Sequence, residues 1–508
     1  MSMQKKRNPS VVIIGAGMTG ILMTIKLREA GVTDITIIEK KENIGGTWRE
    51  NTYPGVACDV PAHLYTYSFE PNPEWSKRYA DGAEIQAYFE KVSRKYGVTE
   101  KVRFNEAVTD ATYDRGKWTI KTSKNSTLTA DFLISATGIL HHPAKPHFDG
   151  QETFQGAMFH TAEWDHSVDL QGKRVGIIGT GSTASQVITE LPKLAKHLTV
   201  FQRTPQWIAP TPNRDFSEKI KQKCRDNPLR IELAKKVYGT VFEQIFSKAL
   251  VGNKLSHAIL SLACKLNLRL SVKDRQLRMK LTPDYQVGCK RLVMSGSFYD
   301  AMQRPNVELV TDGIDCITEK GIRTADGSQH DLDVLIMATG FDPVAYMRPL
   351  NMTGQDGVHI EDTWKKKVRA YRSVLLPEHP NFFLMLGPNT PIGNFSVIAM
   401  SEVQVPYVIQ LIERWRDGEY DEVACTQNAL ERFNKRLKDA MGGTVWTSGC
   451  QSWYLDADGD PLSWPYTWQQ WKREMAAPVM ADFATASFKT DDSEVESAVN
   501  LKLAYAQA

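Results

Sequence analysis

Val11-Val12-Ile13-Ile14-Gly15-Ala16-Gly17-Met18-Thr19-Gly20 is the stretch that decides the fold. Four consecutive apolar residues fit a strand buried on both faces of a parallel sheet. A G-x-G-x-x-G turn follows at once, and the apolar periodicity of residues 19–30 predicts a helix. Thr36-Ile37-Ile38 predicts a second strand, which ends in Glu39. This is the β–α–β setting in which such a turn binds a dinucleotide. Gly15 permits the tight turn and Gly17 lets a pyrophosphate approach the backbone. Gly20 lets helix and strand pack closely, with the pyrophosphate at the helix N-terminus. Glu39, about twenty residues on, is placed for ribose hydroxyls.

The unit recurs. Arg174-Val175-Gly176-Ile177-Ile178 predicts a strand, Gly179-Thr180-Gly181-Ser182-Thr183-Ala184 a G-x-G-x-x-A turn, and Leu198-Thr199-Val200-Phe201 the next strand. No acidic residue ends that strand. Gln202-Arg203-Thr204 stands there instead, and an arginine accommodates the 2′-phosphate of NADP. The first site reads as FAD and the second as NADPH. Two further strands end in Ala136-Thr137-Gly138 and Ala338-Thr339-Gly340, as where a chain with two nucleotides passes between their domains. The expected architecture is α/β, with two Rossmann-like dinucleotide-binding domains and a helical insertion in the NADPH domain. Residues 1–145 and 345–480 are expected to form the FAD domain, and 146–213 (with the linker) and 283–344 the NADP domain. Residues 214–282 form the insertion and 481–508 a loosely held, small and polar tail. In the insertion Val251, Leu255, Ile259, Leu262 and Leu266 recur about one turn apart. Packing into the core is preferred for them over a membrane-surface role.

At 508 residues the chain exceeds one ordinary core. Its 42% apolar and 24% charged residues are those of a soluble globular protein. The net charge of +3 argues for no nucleic-acid partner, and Lys365-Lys366-Lys367 reads as a solvated face. The seven cysteines are scattered, with no C-x-x-C pair and no metal-ligand spacing, so reduced cytosolic thiols and no metal site are expected. Residues 1–9 are polar and basic without an apolar core, which predicts no secretory signal. No run reaches the roughly eighteen apolar residues of a spanning helix. These features together predict a cytoplasmic protein, and none of them specifies an oligomeric state.

Three further segments carry chemistry. Phe154-Gln155-Gly156-Ala157-Met158-Phe159-His160-Thr161-Ala162-Glu163-Trp164-Asp165 lies between the two nucleotide units. Gly45-Gly46-Thr47-Trp48 leads to Tyr53-Pro54-Gly55 and Asp59, and Gly288-Cys289-Lys290-Arg291 precedes Ser295-Gly296-Ser297. Over about residues 10–470 these patterns resemble the type I Baeyer–Villiger monooxygenases. The resemblance implies an enzyme that uses FAD, NADPH and dioxygen to insert an oxygen atom beside a ketone carbonyl. The product is an ester or lactone, reached through a flavin peroxide and a tetrahedral adduct. It implies that Arg291 is the fixed cation stabilising negative oxygen and that Asp59 positions it. Lys290 joins Arg203 and Thr204 at the second nucleotide. Gly46, Thr47, Trp48, Tyr53 and Asn389, the last within Gly387-Pro388-Asn389-Thr390, belong to the flavin site. In the linker, Gly156 allows a turn, Phe154 and Trp164 pack it down, and His160, beside the closing Trp164-Asp165, has a conformational role. Two departures, Tyr371-Arg372-Ser373 and Pro377-Glu378-His379-Pro380, bear on pocket shape and substrate range rather than on cofactor use.

Three other readings are weaker. A disulfide reductase needs a redox cysteine pair beside the flavin, and Cys58 has no partner at C-x-x-x-x-C spacing. An N- or S-oxidising flavin monooxygenase shares both nucleotide sites but lacks the terminal Trp-Asp and does not need the Arg291 segment. A non-enzymatic NADPH sensor need not keep Asp59 and Arg291.

Overall fold

The computed structural model describes residues 6–488 apart from 391–394, 451–453, 457 and 461. Its first sheet is parallel throughout, in the order Phe382–Leu384, Phe132–Ser135, Ser10–Ile14, Asp34–Ile38, Val102–Arg103. The continuous apolar runs have the physical reason expected of them: helices or other layers cover both faces, so alternation is absent. Val11, Val12, Ile13 and Leu133 are all buried. The edge strand Phe382–Leu384 comes from the far end of the chain, so two distant segments complete one sheet. Helix Met18–Glu29 packs against helix Val397–Arg416, with Thr19 Oγ1 and Ser401 Oγ 2.9 Å apart.

The second sheet is likewise parallel, in the order Val307–Val310, His197–Phe201, Arg174–Ile178, Val334–Met337, Ala157–His160. Part of the linker motif is therefore an edge strand. Between the sheets the chain crosses twice, and the crossings run together: Ala144 N donates to Gly340 O and Asp342 N to His142 O, each at 2.9 Å. A smaller antiparallel sheet, Val108–Asp114 with Lys117–Thr122 and Thr127–Ala130, gains Asn351–Thr353 at its edge.

Three expectations need correction. Residues 214–282 do form helices, chiefly Glu218–Asp226, Leu229–Val241 and Lys254–Ser271. Within the last of these, however, Ser256, Leu260, Cys264 and Leu268 face the core. Leu255, Ile259, Leu262 and Leu266 are 72%, 49%, 59% and 44% exposed. A 3.6-residue period identifies a stripe but not the face the protein covers, and this helix is apolar on both. The expected tail begins too early: Phe483–Ala486 pairs antiparallel with Glu422–Cys425, and Tyr371 packs edge-on against Phe483. Residues 489–508 lie outside the described residues. Finally, Cys289 and Cys450 form a disulfide across 161 positions, a distance at which spacing carries no signal. The other five cysteines are free thiols.

Candidate active site

The first glycine turn is built as its sequence requires. Gly15 has φ +100°, and a Cβ there would lie 2.8 Å from Ala136 O, so only glycine fits. Gly20 lies beneath the turn, where a Cβ would strike Gly15 O at 2.1 Å. Gly17 caps helix Met18–Glu29 without a side-chain hydrogen bond, leaving the first N–H groups of the helix without side-chain acceptors. Glu39 is buried. Its Oε2 accepts from Ala16 N at 2.8 Å and its Oε1 from Lys41 N at 3.0 Å, so the carboxylate also braces the turn.

Gly45 N donates to Ala16 O at 3.0 Å, laying Gly45-Gly46 against the turn. Thr47 starts a short helix. Trp48 Nε1 donates to Tyr65 OH at 3.0 Å, and the two rings meet edge-on at 5.5 Å. Tyr53 lines the same cavity and also reaches the second fold. Its ring sits in the hydrophobic core of the second sheet, and its hydroxyl donates to Gln186 Oε1 at 2.9 Å. Gln186 Nε2 in turn donates to Ala57 O at 2.9 Å. Burial pushes the Tyr53 phenol up to about 12. The Tyr53 turn therefore joins the two nucleotide folds.

Asp59 and Arg291 are 232 positions apart, yet Arg291 Nη2 lies 2.6 Å from Asp59 Oδ2. Both side chains are about three-quarters covered, at 25% and 22% exposure. The Asp59 charge, ahead of the opposing effect of burial, raises the Arg291 pKa, so the guanidinium stays charged. Its Nε is buried and has no partner among the described residues. The preceding Gly288 adopts φ +87°, and the Cys289–Cys450 disulfide anchors the segment one residue before Lys290.

At the second turn Gly179 repeats the positive φ of Gly15, at +114°. Gly181 caps helix Ser182–Glu190 without a side-chain bond, and Ala184 is fully buried. Thr204 O accepts from Thr180 Oγ1 at 3.0 Å. Arg203 and Lys290 come close enough for charge repulsion to add to burial in lowering the Lys290 pKa. Lys290 Nζ lies 5.2 Å from the Tyr285 ring centre. Neither cation has a salt bridge within 4 Å among the described residues.

A cavity of about 590 Å³ unites these parts. Gly15, Gly17, Glu39, Gly46, Thr47, Trp48, Tyr53, Asp59 and Arg291 line it, together with Ser182, Thr183 and Gln186 of the second nucleotide fold. Its size is that of a small-molecule site. Sequence reasoning missed Gln186 and His141. Gln186 could have been found, since it follows Ser182 by four residues on one helix and so shares its face. His141 lines the cavity, and burial lowers its pKa to about 4. Asn389 is not a lining residue of this cavity. It borders a smaller one with Lys367 and Leu462, and its backbone N donates to Leu462 O at 3.2 Å.

In the linker, a Cβ on Gly156 would lie 2.4 Å from Asp333 O, so glycine allows the edge strand to close. Phe154 packs on the small cluster around Leu332 and Leu335. His160 Nδ1 accepts from Ala162 N at 3.0 Å, and its ring meets Phe341 edge-on at 6.2 Å. Phe341 also lines the cavity. Burial lowers the His160 pKa, favouring a neutral ring. Trp164 stands edge-on to Phe159 at 5.1 Å. Asp165 accepts from Ser167 N and Oγ at 2.9 and 2.6 Å, the bonds that lower its pKa.

Fold and cavity are those of a flavoprotein with two nucleotide sites, and comparison with known proteins narrows the class. Residues 12–240 match the pyridine nucleotide-disulphide oxidoreductase family. An uncharacterized monooxygenase of Mycobacterium tuberculosis is 47% identical over 460 residues, covering 91% of this chain and 92% of the relative. A Baeyer–Villiger monooxygenase of Streptomyces coelicolor is 37% identical, covering 93% and 92%. The crystal structure of OTEMO in complex with FAD and NADP superposes with a TM-score of 0.84 at 29% identity, over 94% of this chain and all of that one. The chain belongs to the Baeyer–Villiger monooxygenase family, a family of oxidoreductases.

Proposed function

We propose that the protein binds FAD and NADPH and uses O2 to insert one oxygen atom beside the carbonyl of a small-molecule ketone, giving an ester or lactone. One observation carries this reading: a single cavity is lined by the turns of both nucleotide folds and by the Arg291–Asp59 pair. The site fits its cofactors. Gly17 leaves the first helix terminus uncapped by any side chain, suited to a pyrophosphate. Arg203 and Lys290 form a cationic corner without a carboxylate partner within 4 Å among the described residues, suited to a 2′-phosphate. In this reading Gly20 and Glu39 complete the FAD site with Gly15, Gly46, Thr47 and Trp48. Gly179, Gly181, Ala184 and Thr204 complete the NADP site.

Bound FAD, reduced by NADPH, would supply the oxygen-transferring chemistry. The protein's part is charge and position. Asp59 fixes one edge of the Arg291 guanidinium, and its charge keeps that cation protonated. Arg291 lines the cavity, so its charge acts on oxygen that becomes negative as the carbonyl is attacked. A preorganised donor in a dry site stabilises that charge without reorganising. Tyr53 and Gln186 hold the two nucleotide folds together across the cavity, keeping hydride donor and acceptor near one another. The division of the chain into FAD segments 1–145 and 345–480 around an NADP domain belongs to the same proposal. It is supported by Phe382–Leu384 completing the first sheet. So does placement in the cytoplasm, where NADPH is produced. Among the described residues no helix is long and apolar enough to cross a membrane.

The deciding experiment measures NADPH and O2 consumption against linear, cyclic, aryl and steroid ketones, with product analysis. Ester or lactone in proportion to NADPH is expected. Oxidation of amines and sulfides alone, with no ketone converted, would replace this reading by an N- or S-oxidising one.

A further inference from the structure

The helical insertion carries an apolar surface that the protein itself does not cover. Eleven of the fifteen large hydrophobic residues that are exposed among the described residues lie between Ile220 and Met279. On helix Lys254–Ser271 the residues Leu255, Ile259, Leu262, Leu266 and Leu270 follow one another at four- and three-residue steps, all at least 44% exposed. They form one stripe along about four turns. Leu229, Leu233, Val237 and Val241 make a second stripe at four-residue steps on helix Leu229–Val241, at 74%, 62%, 51% and 41% exposure. Neither helix is loosely attached. Asn267 Nδ2 donates to Ile208 O at 3.1 Å, Lys235 Nζ to Thr66 O at 3.2 Å, and Leu260, Cys264 and Leu268 are buried in the core of the second sheet. The stripes are the outward faces of firmly seated helices.

Charge identifies what would cover them. Residues 214–282 contain sixteen Lys and Arg against six Asp and Glu, a net +10. The whole chain carries +3, which leaves the rest at −7. Lys254, Lys265 and Arg269 are exposed beside the first stripe, and Arg230 and Lys236 beside the second. A second copy docking through the same face would set +10 against +10, which disfavours self-association. An apolar stripe flanked by basic side chains matches instead the boundary between acyl chains and anionic headgroups. There Leu and Ile enter the hydrocarbon while Lys and Arg extend to phosphate. We propose that the insertion is a peripheral docking surface for an anionic phospholipid bilayer. The enzyme lies on the membrane without spanning it, and its cavity is served by ketones partitioned into lipid.

The test is flotation of the full-length holoenzyme with vesicles of phosphatidylcholine alone or with about 30 mol% phosphatidylglycerol. The wild type should float with the anionic vesicles, remain unbound with the neutral ones, and dissociate as NaCl rises to about 0.5 M. The triple variant Leu255→Ser, Leu262→Ser, Leu266→Ser removes only solvent-facing groups. It should keep its melting temperature and its activity on a water-soluble ketone while binding about tenfold less to anionic vesicles. Absence of wild-type binding to either vesicle, equal binding by the variant, or a wild-type dimer that the variant converts to monomer would each overturn the proposal.

Discussion

The Tyr53 hydroxyl donates to Gln186 Oε1 at 2.9 Å, and this bond ties the turn beside the first nucleotide site to the first helix of the second fold. Tyr53→Phe keeps the packed ring and removes only the bond. Such a bond contributes about 0.5–1.5 kcal/mol, and the orphaned acceptor adds to its loss. FAD content should be unchanged, while stopped-flow reduction of the flavin by NADPH should slow by roughly 3- to 15-fold. An unaltered reduction rate would show that the contact has no part in bringing the nucleotides together.

Arg291→Ala removes the fixed cation from the cavity wall. Losing a charge-stabilising donor costs about 3–4 kcal/mol in the transition state, about a hundred- to a thousandfold in rate. The variant should still oxidise NADPH and release hydrogen peroxide, yet form almost no ester. Asp59→Ala should fail in the same way but less completely, since the charge remains and only its positioning is lost. Near wild-type ester formation by Arg291→Ala would refute the role given to this residue.

Arg203→Ala and Lys290→Ala each remove one cation from the corner where their charges repel. Hydrogen bonds to charged groups contribute about 1.5–3 kcal/mol, so KM for NADPH should rise roughly 10- to 100-fold with KM for NADH nearly constant. A parallel rise for both coenzymes would place the residues elsewhere than at the 2′-phosphate.

Burial lowers the pKa of His63, His141 and His379 to about 4. In the unfolded chain these rings take up protons near 6.5, so between 6.5 and 4 the unfolded state binds more protons than the folded one. Stability contributed by the neutral rings is therefore complete above about pH 6.5 and declines as pH falls toward 4. Urea midpoints measured from pH 7.5 to 4.5 should fall accordingly. His379→Gln retains a donor for Pro377 O, which His379 Nδ1 now meets at 2.9 Å, and should flatten part of that slope. A slope identical to wild type would exclude His379 from the effect.

Both nucleotide folds were readable because each is local: strand, glycine turn, helix and second strand lie within about thirty residues, and buried parallel strands write continuous apolar runs. Arg291 and Asp59 were paired through resemblance, since nothing local links positions so far apart. The motif from Gly45 to Asp59 places Tyr53 beside the flavin through resemblance, but nothing local points to its partner Gln186, 133 positions away in the second nucleotide fold. The insertion helix was found by its period and turned the wrong way round, because Leu260 and Leu262 are chemically alike and only tertiary packing distinguishes them. Cys289 and Cys450, like Phe483 on Cys425, meet through long-range topology that spacing does not encode.

The bonds from Ala144 to Gly340 and from Asp342 to His142 make the two interdomain crossings one narrow ribbon instead of two independent tethers. Backbone dimensions fix the length of such a ribbon, whereas twist varies widely among two-stranded ribbons. This ribbon and the Tyr53–Gln186 bond together oppose separation of the two nucleotide folds, and twisting about the ribbon axis is the freer motion. Catalytic stages that need the nicotinamide at different places would be sorted by angle, as positions on a dial, and not by the opening and closing of a gap.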